Sequence, residues 1–155
     1  MPSKQNRTVI VKGDQIKVGN NYQNISMNLG TISATTNPLK IVAVMPRKGT
    51  ITGVDLVVNT AITANDTNYW TFALTNKSTD GSGSTVLLAA TDANTTKATG
   101  GIGLAAYNTT ALTLSSTTAD LNFNAGDVIT LTATKAASAS NLDDLTVNLK
   151  SKDRN

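Results

Sequence analysis

The sequence predicts an all-β chain: an antiparallel β-sandwich, jelly-roll-like, preceded by an extended N-terminal arm. Three observations predict it. Threonine is the commonest residue and every acid is Asp, with no Glu anywhere, so good helix formers are scarce and a β-branched residue is abundant. From Asn37 onward, short stretches of alternating apolar and polar residues are separated by clusters of Gly, Asn, Asp and Ser, the rhythm of successive strands and turns. Residues 1–36 differ, with Lys4, Arg7, Lys12 and Lys17 set against the single acid Asp14. The chain therefore divides into an arm over 1–36, a sandwich over 37–150 and a polar tail over 151–155. Its 155 residues suit one such domain with one core.

The arm holds three short β-like patches: Val9 with Val11, Ile16 with Val18, and Ile25 with Met27 and Leu29. So little apolar surface cannot fold alone, and the arm is expected to lie on its own sandwich, on a neighbouring copy or on a larger partner. In PLKIVAVMP, Pro38 and Pro46 bracket a run that is apolar on both faces apart from Lys40. That pattern predicts a strand buried on both sides or covered by another subunit. In ITGVDLVVNT, Val54, Leu56 and Val58 share one face while Ile51 falls out of phase with them; a bulge at Gly53 reconciles the two.

The next strand places Trp70, Phe72 and Leu74 on one side and Tyr69, Thr71, Ala73 and Thr75 on the other. The tip STDGSGS turns the chain, with Asp80-Gly81 and Gly83 expected at positive φ, and Val86 to Ala90 return as the second arm of a hairpin. Trp70 is the chain's only Trp. With Phe72 it is expected to anchor the core, each truncation to Ala costing roughly 3 to 5 kcal/mol. Leu112 and Leu114, then Leu121 and Phe123, mark two further strands. Ile129, Leu131 and Ala133 share a face after a Gly-Asp turn, and Leu145, Val147 and Leu149 alternate in a last strand. The stretches TDANTTKATGGIGLAA and TKAASASNL are poor in bulk and read as long loops at the ends of the sandwich.

Composition removes most chemistry. With no His and no Cys there is no thiolate, disulfide or imidazole to use, and without Glu any acid-base or nucleophilic step would rest on Asp, Lys, Tyr or Ser. No G-x-S-x-G, S-x-x-K or paired-carboxylate arrangement is present, so the chain reads as a non-enzyme without a cofactor or metal. Gly101-Ile102-Gly103-Leu104-Ala105-Ala106 matches a G-x-G-x-x-A phosphate fingerprint, but no strand precedes it and no helix can follow it, so a flexible loop is the expectation. Asp143-Asp144 and the Asp80 loop lack the oxygen-ligand spacing of a calcium loop. Six N-x-S/T sequons begin at Asn6, Asn24, Asn65, Asn76, Asn94 and Asn108, as chance supplies in a chain so rich in Asn and Thr. The formal charge of +3 is not clustered with aromatics, which argues against nucleic acid. The apolar runs are too short to span a bilayer and the N-terminus lacks the apolar core of a signal peptide, so a soluble chain that does not act on membranes is expected.

The succession GTITGVDLVVNTAITANDTNYWTFALTNKSTDGSGSTVLLAATD, followed by ADLNFNAGDVITLTAT and a short β C-terminus, resembles the head decoration, or cement, proteins of tailed bacteriophages. The resemblance spans roughly Gly49 to Lys150 and leaves the basic arm outside it. It implies a small β-sandwich, often trimeric, seated on the outside of an icosahedral head and bound to the major capsid protein, with assembly in the host cytoplasm. Lys4, Arg7, Lys12 and Lys17 are the residues expected to meet the capsid or the adjacent protomer, and deleting residues up to about Gly30 is expected to abolish binding while leaving a folded core. The alternative is a receptor-binding or tail-fibre module, with Trp70 or Tyr69 displayed near the hairpin tip to pack against glycans.

Overall fold

The computed structural model describes residues 21–33, 35 and 38–154. They form nine strands: β1 (Tyr22–Asn28), β2 (Leu39–Val44), β3 (Gly49–Val57), β4 (Trp70–Asn76), β5 (Thr85–Leu88), β6 (Thr110–Ala111), β7 (Asn122–Phe123), β8 (Val128–Lys135) and β9 (Thr146–Asp153). One sheet runs β1-β9-β3-β6, with β7 also on β3, and the other runs β2-β8-β4-β5. Strand pairing is antiparallel throughout.

The pairing is nested. First pairs with last, second with second-to-last, β3 with β6 and β7, and β4 with β5. This is one long antiparallel ribbon rolled so that its strands fall into two sheets, the jelly-roll arrangement. The strands β6 and β7 act as one interrupted strand, held against opposite ends of β3 at Asp55/Leu56 and at Gly49/Thr50. Between them Leu112 is buried outside any strand, so the two longer strands expected there shrink to two residues each.

Alternation decides which side chains form the core. Trp70, Phe72 and Leu74 of β4, with Ile129, Leu131 and Ala133 beside them on β8, share one buried cluster with Ile51, Val54 and Leu56 of β3 and Val147 and Leu149 of β9 in the other sheet. In β3 the register shifts between Ile51 and Gly53, so Thr52 is the extra residue and both Ile51 and Val54 turn inward, as the out-of-phase spacing requires. Gly49 is needed by close approach. A Cβ there would sit 2.5 Å from the Phe123 ring and 2.6 Å from the Lys152 carbonyl oxygen.

The Ile25–Leu29 patch lies on its own sandwich. β1 pairs with β9 along its whole length, Ile25 and Leu29 pack against the core, and Ile32 bridges to Leu142. A deletion up to Gly30 would therefore remove an edge strand, which corrects the expectation that the core survives it. At the other end β9 runs through Ser151, Lys152 and Asp153, three residues into the stretch read as a tail. Ser151 is buried there, and Asp153 accepts a hydrogen bond from Gln23 Nε2 at 3.0 Å.

Candidate functional site

The two sheets turn opposite chemistry outward. On the outer face of β1-β9-β3, polar side chains pair across strands: Ser26 Oγ donates to Asn148 Oδ1 at 2.7 Å, Thr50 Oγ1 to Asn122 Oδ1 at 2.8 Å, and Lys150 forms an ion pair with Asp55. Lys152 lies over the Tyr22 ring at 6.0 Å. Such cross-strand pairs stabilise a sheet that faces water, and Tyr22 at the β1 edge is the large hydrophobic side chain this face leaves exposed.

The outer face of β2-β8-β4-β5 is different. Register places Ile41, Thr130, Thr75 and Val86 in one row across all four strands, and Leu39, Thr132 and Ala73 in another. Val44 with Val128 and Thr71 with Thr134 extend it. Lys77 sits at a corner past the end of β4, and beyond Thr71, which bridges to Thr95, the face is bordered by Tyr69 and the Lys97–Asp92 ion pair; none of the side chains in the rows themselves is ionisable. Four of them are large aliphatics left in solvent: Leu39 at 58%, Ile41 at 60%, Val44 at 61% and Val86 at 44% exposure. The aliphatic run of β2 is thus neither buried on both sides nor covered within the chain.

A bulge makes this face. The β2 register shifts between Ile41 and Ala43, which tucks both Val42 and Ala43 into the core and returns Val44 to the outer side with Leu39 and Ile41. Lys40 alternates the other way, level with Leu131 on the inward side of this edge strand.

Trp70 has no exposed surface. Its indole Nε1 donates to the Ser140 carbonyl at 2.7 Å, and its backbone N–H donates to Thr96 Oγ1 at 2.9 Å. Tyr69 is half-buried with Lys97 Nζ over its ring at 4.9 Å. The displayed-aromatic arrangement expected of a glycan contact is therefore not the one adopted: the alternating pattern puts Trp70 on the core face, and a cation covers the Tyr69 ring. The hairpin tip itself is exposed from Thr79 to Ser82. Its positive φ angles fall at Ser78 and Gly81, not at Gly83, where a Cβ would instead lie 2.7 Å from backbone atoms of Lys77 and Ser78.

The Gly101 stretch is pinned rather than flexible. Ile102 N–H donates to the Thr95 carbonyl at 2.7 Å, Leu104 exchanges hydrogen bonds with Ile62, and a Cβ on Gly101 would meet Thr95 and Lys97 backbone atoms within 2.7 Å. Those glycines serve backbone packing, and no helix follows to receive a phosphate. Buried Asn94 ties this end together: its Nδ2 donates to the Ala89 and Thr113 carbonyls, and its Oδ1 accepts from Thr113 N–H at 2.7 Å. Beside it a groove of about 450 Å³ runs past Val86, Leu114 and Asp120, where the Asp120 carboxylate accepts a hydrogen bond from Ser115 Oγ.

Two carboxylates and one amine are perturbed at the surface. The Thr99 N–H, with its hydroxyl second, holds Asp66 below its ordinary value, and the Ser82 N–H does the same for Asp80. A hydrogen bond to Asp92 raises Lys97. These are loop-bracing contacts. Among the described residues no three acids gather as a metal site would need, and each buried polar side-chain atom has a hydrogen-bond partner. Lys4, Arg7, Lys12 and Lys17 lie outside the described residues.

The molecule is thus a jelly-roll sandwich with one face of paired polar side chains and one face rich in threonine and aliphatics, bordered by the Lys97–Asp92 ion pair. No protein-family model matches the chain, and no curated protein matches it. Among solved structures it is similar to a chain of the cyanophage Pam1 capsid asymmetric unit, at a TM-score of 0.51 and 14% identity over 99% of this chain and 100% of that one. A chain in a structure of infectious bursal disease virus, Gx strain, aligns with 94% of this chain and 36% of its own length at 12% identity. Its TM-score of 0.45 is too low to define a shared fold. At 14% identity the Pam1 likeness establishes the fold, end to end.

Proposed function

We propose that this chain is a structural virion protein, and specifically a decoration protein that binds the outside of a phage head and strengthens it as a trimer. The observation that carries the reading is the end-to-end likeness: a chain of the same extent, not a domain of a larger one, occurs in the Pam1 capsid asymmetric unit. The alignment takes in 99% of this chain and 100% of the other. The polar groups of this one are spent on bracing loops and strands, which suits a rigid body that acts by shape without catalysis. A trimer on a three-fold position makes three equivalent contacts at once, and linked contacts of that kind exceed a single one by about 10² to 10⁴ in avidity.

Charge suggests how the body reaches the shell. Residues 1–20 carry Lys4, Arg7, Lys12 and Lys17 against Asp14, which accounts for the whole formal charge of +3 and leaves the rest of the chain neutral. Such a segment steers docking onto an acidic shell of major capsid protein. The test is imaging of heads assembled with and without this chain, together with binding of the purified chain to bare heads. Extra density on the outer surface, lost when residues 1–20 alone are removed from a chain that still melts cooperatively, is the expected result. Absence from purified virions, or location on the tail, would overturn the reading.

A further inference from the structure

We propose that the outer face of the β2-β8-β4-β5 sheet is the surface through which copies of this chain associate with one another. The inference places the contact on a face; it rests on the decoration reading only for the number of copies. Its first support is chemical contrast. The opposite face closes its own hydrogen bonds and ion pairs, whereas this one leaves Leu39, Ile41, Val44 and Val86 in solvent with no ionisable group among its rows. Its strands, of six, eight, seven and four residues, cover on the order of 400 Å² in plan. Against the roughly 800 Å² of accessible surface that each partner gives a standard interface, that is a contact at the small end.

The contact is made by the face and not by the strand edge. β2 ends at Val44 just before Pro46 and starts just after Pro38. Its bulge and its inward-side Lys40 are devices that block pairing with a strand from another molecule. Aliphatics that survive on so guarded an edge are directed outward, toward something packed against the sheet.

The occupant is a second copy on grounds of charge and timing. A charge set against the aliphatic middle of this face would be desolvated with nothing to pair it, so the surface that meets Leu39, Ile41 and Val44 is uncharged, while Lys77 and the Lys97–Asp92 pair lie at the border. Residues 21–155 hold nine cations and nine anions, so the net charge of +3 that each copy carries belongs to residues 1–20 and not to the sandwiches that meet. An uncharged aliphatic face must also be covered before any shell is met, because left bare it invites indiscriminate association. Another copy is the partner present from synthesis onward.

Sedimentation of the full chain across the micromolar range is the test. The expected result is a discrete oligomer for the wild type and for Asn24→Asp, which alters the opposite face, and a monomer with unchanged circular dichroism for Ile41→Asp/Val44→Asp. Should that pair fail to fold, Leu39→Thr/Ile41→Thr/Val44→Thr keeps β-branched residues and is expected to weaken self-association by at least about tenfold. A monomeric wild type, or folded variants that associate as the wild type does, would overturn the proposal. An oligomer that dissociates in these variants yet never binds heads would sustain it and reject the decoration reading instead.

Discussion

Replacing Trp70 with Phe isolates what one side chain does for this core. Trp70 is wholly enclosed and donates its indole N–H to the Ser140 carbonyl at 2.7 Å, which fastens the segment after β8 to the start of β4. Phe keeps a ring but removes about 40 Å² of buried apolar surface, near 1 kcal/mol at roughly 25 cal/mol/Å². The lost hydrogen bond adds about 1 kcal/mol, and the partly desolvated Ser140 carbonyl left behind adds up to about 1 more. A loss of about 2 to 3 kcal/mol lowers the melting temperature of a domain this size by roughly 5 to 10 °C. Trp70→Ala, at about 3 to 5 kcal/mol or beyond, consumes a large share of the 5 to 15 kcal/mol by which such domains are stable. Thermal melts by circular dichroism read both. As the chain's only Trp, Trp70 also reports its own burial: native emission should be blue-shifted and resist iodide until unfolding. Strong quenching in the folded state, or a Phe variant that melts with the wild type, would refute the packing described.

Three further perturbations address other parts of the fold. Gly49→Ala forces a methyl against the Phe123 ring and the Lys152 carbonyl and should cost about 1 to 3 kcal/mol by overpacking, read as a lower urea midpoint at unchanged slope. Asn94→Ala removes three hydrogen bonds at one buried amide and should cost on the order of 2 to 4 kcal/mol; the wild-type sequon there should stay unglycosylated in a eukaryotic host because its amide is already engaged. Asp66 is held below its ordinary value of 3.8 by the Thr99 N–H, so the folded value lies under the unfolded one. Its stabilisation is complete above the unfolded value and disappears as pH falls through the folded value. Asp66→Asn should therefore flatten the acid limb of a melting temperature profile taken down to about pH 2, and parallel profiles would contradict the assignment.

Much of the fold was legible because a strand's alternation is local. Trp70-Phe72-Leu74, Ile129-Leu131-Ala133 and Val147-Leu149 each declare an inward face within a few residues, and the odd spacing from Ile51 to Val54 announces a bulge. Positive φ at Gly81 followed from the turn, while Ser78 was missed because its conformation depends on the backbone packing of the turn around Gly83. The buried role of Asn94 was illegible for a similar reason: its partners Ala89 and Thr113 lie on separate segments.

The candidate surface shows the same division. The β2 run could be seen as aliphatic on both sides, and cover by another subunit was one of two readings. Whether it met solvent turned on its becoming an edge strand and on a bulge that its own spacing does not announce. The row Ile41-Thr130-Thr75-Val86 joins four strands that are distant in the chain, so no local window contains it.

The amino-acid order by itself determined that this chain makes strands, which side chains each strand hides, and that no histidine or cysteine chemistry is open to it, because those properties follow from neighbours a few positions apart and from composition. Which strands lie side by side, which edge stays open and which face gathers uncharged side chains were decided only by the rolled ribbon. They depend on pairings between residues as far apart as Tyr22 and Lys152, and such contacts have no signature in either segment taken alone.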